Sequence, residues 1–146
     1  MTDALYHATI VEHDRSPRNC GPLPGATHAA TMDNPLCGDV VTMRVVVTGE
    51  GDAATIADVK WEARGCALCR AAASMLSVRV LGYTLAGVDQ VVDTFEGFVV
   101  SSDGDRWTID LADLEVFAGV KKARSRRTCA LLPFHALAKA LGLPFG

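Results

Sequence analysis

Between Ile56 and Ala63 the residues alternate, with Val59, Trp61 and Ala63 on one side and Lys60, Glu62 and Arg64 on the other. A period of two marks a strand with one buried and one wet face. The valine-rich stretch Val40–Thr48 reads as its neighbour, and the intervening Gly49-Glu50-Gly51-Asp52 is a hairpin signal. Thr27–Met32 is a weaker third strand. After Gly65 the pattern changes to helices. Ala67–Leu81 is apolar on most sides, as a buried helix would be, and Gly82 is a natural C-cap. Shorter helices are expected at Leu85–Val92 and Asp110–Phe117, separated by an irregular loop at Ser101-Ser102-Asp103-Gly104-Asp105, and a last helix runs to about Leu141. Upstream, Ala4–His13 reads as a short helix, with Leu5, Ile10 and Val11 apolar, stopped by Arg15-Ser16-Pro17-Arg18-Asn19-Cys20-Gly21. Strands first and helices afterwards predict an α+β fold, a small three-stranded antiparallel sheet with helices packed on one face.

The 146 residues show no repeat, low-complexity tract or linker, which is the pattern of a single domain spanning residues 1–146. A net charge of −3 offers no global attraction to nucleic acid or anionic lipid. Met1-Thr2-Asp3-Ala4 places an acid where a signal peptide needs a base, and no apolar run approaches a membrane span. The chain is therefore expected to be cytoplasmic. There its five cysteines would stay reduced, and their odd number does not suit a disulfide framework. Free thiols are then candidates for metal or sulfur chemistry, or else small buried hydrophobes. Cys20 suits the second role.

Three cysteines stand out by context. Cys37-Gly38-Asp39 follows the turn-forming Asn34-Pro35 and enters a strand, where side chains two apart point the same way. Sulfur and carboxylate would thus be presented together, with Gly38 leaving room for close approach. Cys66 opens the long helix, where the macrodipole and unpaired amides favour an anion, and thiolate is the form that binds metal. Cys129 follows the basic run Lys121-Lys122-Ala123-Arg124-Ser125-Arg126-Arg127-Thr128. That run is a solvated face or a docking surface for an acidic partner; without interleaved aromatics, and on an acidic chain, it does not read as a nucleic-acid patch. Three cysteines and Asp39 suit four-coordinate zinc, although the spacing is not that of a zinc finger. Cys66-Ala67-Leu68-Cys69 admits a competing reading as a dithiol–disulfide oxidoreductase, which leaves Cys37-Gly38-Asp39 and Cys129 without a role. The histidines His7, His13, His28 and His135 read as structural or solvent-facing. Asp103-Gly104-Asp105 lacks the further ligands of a calcium loop.

Taken together, Glu12-His13, Ser16-Pro17-Arg18-Asn19-x-Gly21, Asn34-Pro35-x-Cys37-Gly38-Asp39, Gly65-Cys66 and Cys129-Ala130-Leu131 resemble the NifU/IscU-like iron–sulfur cluster assembly proteins, from about Leu5 to Leu141. Within that family the chain is similar to the SufU type. Sixty-two residues separate Cys66 from Cys129, accommodating the extra segment around Thr94–Val120 typical of SufU. Thr128 stands where the IscU type has a histidine, the proline-rich chaperone-recruiting segment is replaced by the Lys/Arg run, and Arg126 matches an arginine of SufU proteins.

The resemblance implies a zinc-dependent acceptor of persulfide sulfur. Cys37, Asp39, Cys66 and Cys129 would hold the metal, and Cys129 would take the sulfur. The donor would be a SufS-like, pyridoxal-phosphate-dependent cysteine desulfurase docking at Arg126 and Arg127, and downstream cluster assembly proteins would receive it. The alternative within the family is a scaffold building a transient [2Fe–2S] cluster on the same residues. Three features depart from the pattern. Cys69 is either a fifth thiol near the metal or a packing residue, Cys20 is unexpected in its motif, and Pro133 either starts the last helix or kinks it. A helix starting at Pro133 would leave Cys129 on a loop.

Overall fold

Val41, Met43 and Val45 all turn one way from the middle strand of the sheet and are fully buried. The computed structural model describes residues 7–36, 38–100 and 109–145, leaving aside the Lys122 side chain. In it β2 (Asp39–Thr48) pairs antiparallel with β1 (His28–Asn34) on one side and β3 (Thr55–Arg64) on the other. The expected alternation in β3 holds, with Val59 and Trp61 buried and Ala63 half-buried. Arg44 and Glu62 pair across the outer face at 2.6 Å. Val46 faces Asp58 whereas Val47 faces Ile56, so Ala57 is an extra residue in β3. That bulge resets the alternation and lets both Ile56 and Val59 point inward. β1 lies at the sheet edge and buries only Asn34 fully, which is why its sequence pattern is faint.

The helical layer covers the inward face. It comprises α1 (Ala8–Arg15), α2 (Ala67–Val80), α3 (Leu85–Val100), a 3₁₀ stretch at Ala112–Lys122, and α4 (Arg124–Leu141). α4 lies across β1 and β2 and beside α2 and α3; α2 packs on β3 and α1. α3 runs eight residues past the expected end at Val92. The polar Asp93, Thr94 and Glu96 hide the continuing stripe of Phe95, Phe98 and Val99, all buried. Phe95 stacks on Phe134 of α4 with centroids 4.0 Å apart, and Phe117 meets it edge-on at 5.7 Å. The predicted residues Ala4–Tyr6 of the first helix, the loop at Ser101–Asp105 and Cys37 lie outside the described residues.

One open choice is decided and one expectation is corrected. The last helix starts at Arg124 and runs through Pro133, so Cys129 sits in regular helix, and Pro133 is buried within α4. Proline has no amide hydrogen to give the carbonyl four residues back, here that of Cys129; burial of Ala130, Phe134 and Leu137 around the proline holds the helix together across the lost bond. Cys20 is exposed rather than buried. The segment around it lies along the edge of β3: the Trp61 amide donates to Asn19 O (3.0 Å), and the Gly21 amide donates to Trp61 O (2.8 Å). Asn19 adopts a left-handed φ of 60°, which asparagine tolerates well. Arg18 completes the clip. Its carbonyl accepts the Trp61 indole N–H (2.7 Å), its amide donates to Ser74 Oγ (2.9 Å), and its guanidinium takes both oxygens of Glu12. The Ser-Pro-Arg-Asn motif is thus a clasp of α1 and α2 to the sheet.

Candidate metal centre

The register of β2 against β3 builds the first half of the site. Val40 faces Arg64, so Gly65 and Cys66, next along the chain, fall beside Asp39. Asp39 shares the inward face with Val41 and Met43 and is 3% exposed. Its Oδ1 accepts the Cys66 amide hydrogen at 3.2 Å, and its Oδ2 lies 3.6 Å from Cys66 Sγ. Gly65 is required here for space rather than for a positive φ: a Cβ on it would stand 2.6 Å from Asp39 Oδ1 and 2.7 Å from Cγ. Gly38, by contrast, turns the chain with φ 77°. Asn34, buried, holds that turn: its Oδ1 accepts the Leu36 amide (3.1 Å) and its carbonyl the Gly38 amide (2.8 Å). Cys66 is the N-cap residue of α2 and makes no side-chain cap bond; its sulfur is turned to the Asp39 carboxylate.

α4 supplies the second half. Cys129, in its second turn, is 2% exposed, and one donor atom from each of Asp39, Cys66 and Cys129 lies within 4.8 Å of the others. The donor set suits zinc. With Zn–S of about 2.3 Å and Zn–O of about 2.0–2.2 Å, tetrahedral donors stand about 3.5–3.8 Å apart, and the Cys66–Asp39 separation of 3.6 Å falls in that range. Iron accepts the same thiolates.

Other candidate residues fall elsewhere. Cys69, one turn into α2, is wholly buried among the core side chains and is not in the three-residue group. No disulfide joins Cys66 and Cys69, and the burial of Cys69 denies a substrate disulfide access to the pair. Arg126 and Arg127 are half-buried in the first turn of α4, and among the described residues no carboxylate pairs with either. Arg126 stands one turn before Cys129, on the same helix face. None of the four histidines is in the group. His7 caps α1 and His28 bonds Thr27 Oγ1; both are exposed. His13 meets Ser74 Oγ at 2.7 Å, and burial, helped by the Arg18 charge, lowers its pKa. His135 lies 3.5 Å from Glu96 and against Phe145; burial lowers its pKa although the Glu96 charge opposes the shift. Sequence reasoning gave Gly65 no role. Its signal was a glycine between a strand end and a cysteine, which becomes meaningful only once Asp39 is known to face it.

A sheet of three antiparallel strands, a helical layer on one face, and an Asp–Cys–Cys group between them define a small α+β module with a candidate metal site. The family model "NifU-like N terminal domain" matches residues 5–130, and the chain belongs to that family. It is similar to the "Zinc-dependent sulfurtransferase SufU" of Bacillus subtilis, 33% identical over 95% of this chain and 90% of the relative. It is also similar to the "Iron-sulfur cluster assembly scaffold protein IscU" of Streptococcus pyogenes, 30% identical over 94% of this chain and 82% of the relative. Among solved structures, a "Nitrogen-fixing NifU-like protein (N-terminal)" from Brucella abortus superposes with a TM-score of 0.82 at 26% identity, covering 97% of this chain and 94% of that one.

Proposed function

We propose that this protein takes part in iron–sulfur cluster assembly as a zinc-holding acceptor of persulfide sulfur. The observation that carries the reading is the convergence of Asp39, Cys66 and Cys129 within 4.8 Å, in a fold whose SufU relative is named for zinc and sulfur transfer. Cys37, joined to Asp39 through Gly38, would be the fourth ligand. Bound zinc would hold the thiols as thiolates until they are needed.

The transfer conserves atoms and electrons without an added oxidant. A cysteine desulfurase dependent on pyridoxal phosphate presents a cysteine persulfide. The acceptor thiolate attacks its outer sulfur, a new S–S bond forms on the acceptor, and the donor's S–S bond breaks to release the donor thiolate. The acceptor assigned here is Cys129. Its burial shields the thiolate from stray oxidation and requires that the first turns of α4 open before attack. Arg126 and Arg127, lacking carboxylate partners among the described residues, would receive an acidic surface of the donor and bring it to that helix end.

A second reading rests on the IscU relative: the same residues assemble a transient [2Fe–2S] cluster. Elemental analysis and an ultraviolet–visible spectrum of protein purified without oxygen or added metal separate the two. About one zinc per chain and no visible absorption is expected for the closed four-ligand site. Iron with acid-labile sulfide and a brown colour would move the assignment to the scaffold.

A further inference from the structure

The turn that carries the metal-site loop also displays Leu36, which is 94% exposed. The other large exposed apolar residues, Val78, Leu81, Val100 and Phe145, keep only 40–55% exposure. Val78 and Leu81 lie at the end of α2 remote from Cys66, Val100 ends α3, and Phe145 is in the tail beyond α4. Leu36 differs in a second way, because its backbone is pinned. The Leu36 amide is held by Asn34 Oδ1, the turn is closed by the Gly38 amide on Asn34 O, and Asn34 pairs with Asp39 at its base. A mobile loop would have let the leucine fold back onto the chain; this turn holds it in water, where it forgoes the gain of burying a leucine side chain. It stands three positions before Asp39 in the chain, a span of at most about 11 Å. Arg126 stands one turn of α4 before Cys129, a member of the same group.

We infer that Leu36 is the apolar anchor by which the sulfur-donating protein seats itself over the Asp39–Cys66–Cys129 group. The occupant is a protein surface with an apolar recess rimmed by carboxylates: the recess takes Leu36, and the carboxylates meet Arg124, Arg126 and Arg127, which have no ion-pair partner among the described residues. This rests on the sulfur-acceptor reading and adds to it the contact that gives the docked complex its lifetime. The leucine and the arginines act differently, since burial of an apolar side chain is insensitive to salt whereas the arginine attraction is screened.

The test is the affinity of the metal-loaded protein for its cysteine desulfurase, measured by calorimetry at low and high salt for wild type, Leu36→Ser and Leu36→Met. Metal content and persulfide uptake from glutathione persulfide are followed in parallel. Leu36→Ser is expected to raise Kd about tenfold at both salt concentrations. Metal content and uptake from the small donor should stay unchanged, and Leu36→Met should bind nearly as wild type. An unchanged Kd for Leu36→Ser overturns the anchor while leaving the acceptor reading standing. Loss of metal in that variant also overturns it, assigning Leu36 to the loop's own structure. If wild type takes up no sulfur from either donor, the acceptor reading itself fails, and the anchor with it.

Discussion

The two halves of the metal centre are built by opposite means. Asp39, Gly65 and Cys66 come from adjacent ends of paired strands, and short-range contacts place them: the β2–β3 register, the amide of Cys66 on Asp39, and a glycine whose missing side chain admits the carboxylate. Cys129 arrives on a helix after 62 intervening residues. It is placed by the packing of α4 across β1 and β2 and by the stacking of Phe134 on Phe95. The strand side is a rigid cradle that shapes the ligand set. The helix side is entered through a 3₁₀ stretch, and its first turn carries arginines with no carboxylate partner among the described residues.

The largest expected effect breaks the helix half. Cys129→Ser should abolish persulfide uptake from the desulfurase, read as the loss of the added sulfur mass on the intact chain; normal uptake would shift the acceptor role to the cradle side. Gly65→Ala attacks the cradle without touching a ligand. Its new Cβ displaces the Asp39 carboxylate, and zinc affinity measured against a competing chelator should fall about 10- to 100-fold while the circular dichroism stays native. Wild-type affinity would mean that Asp39 is not a ligand. Smaller, and salt-dependent, is the effect of reversing Arg126 and Arg127 to Glu: desulfurase binding should weaken more at low than at high ionic strength. Equal loss at both would assign the arginines to the helix rather than to the partner.

The smallest effect concerns the histidines that frame the helical layer. His13 and His135 both have native pKa values below the ordinary value, chiefly through burial, so protons bind the unfolded chain first as pH falls through about 6.5. Their contribution to stability is therefore complete above that pH and declines below it. Urea midpoints of metal-free protein should drop between pH 7.5 and 5.5, and His13→Gln should flatten part of that slope. A midpoint that rises on acidification would contradict the buried, neutral state of both rings.

Much of this was legible in the chain itself. The alternation of Val59, Trp61 and Ala63, the hairpin glycines and the switch to helical patterning after Gly65 define the layers, because one-sided burial writes its period into local sequence. The motifs around Asp39, Cys66 and Cys129 marked the site for the same local reason: each sits at a strand or helix boundary, or beside a charge run, where its neighbours restrict what it can do. What only the tertiary structure decided depends on residues far apart in the chain. Pro133 left open whether it starts the last helix or lies within it; core packing on both sides of it carries α4 back to Arg124 and puts Cys129 inside a buried helix. Cys20 and Cys69 were chemically equivalent as letters. Pairing along Trp61 turns the first outward, while the apolar face of α2 closes over the second. Gly65 became intelligible only when the strand register set Asp39 against it, since steric exclusion between residues 26 positions apart leaves no periodic trace in a sequence.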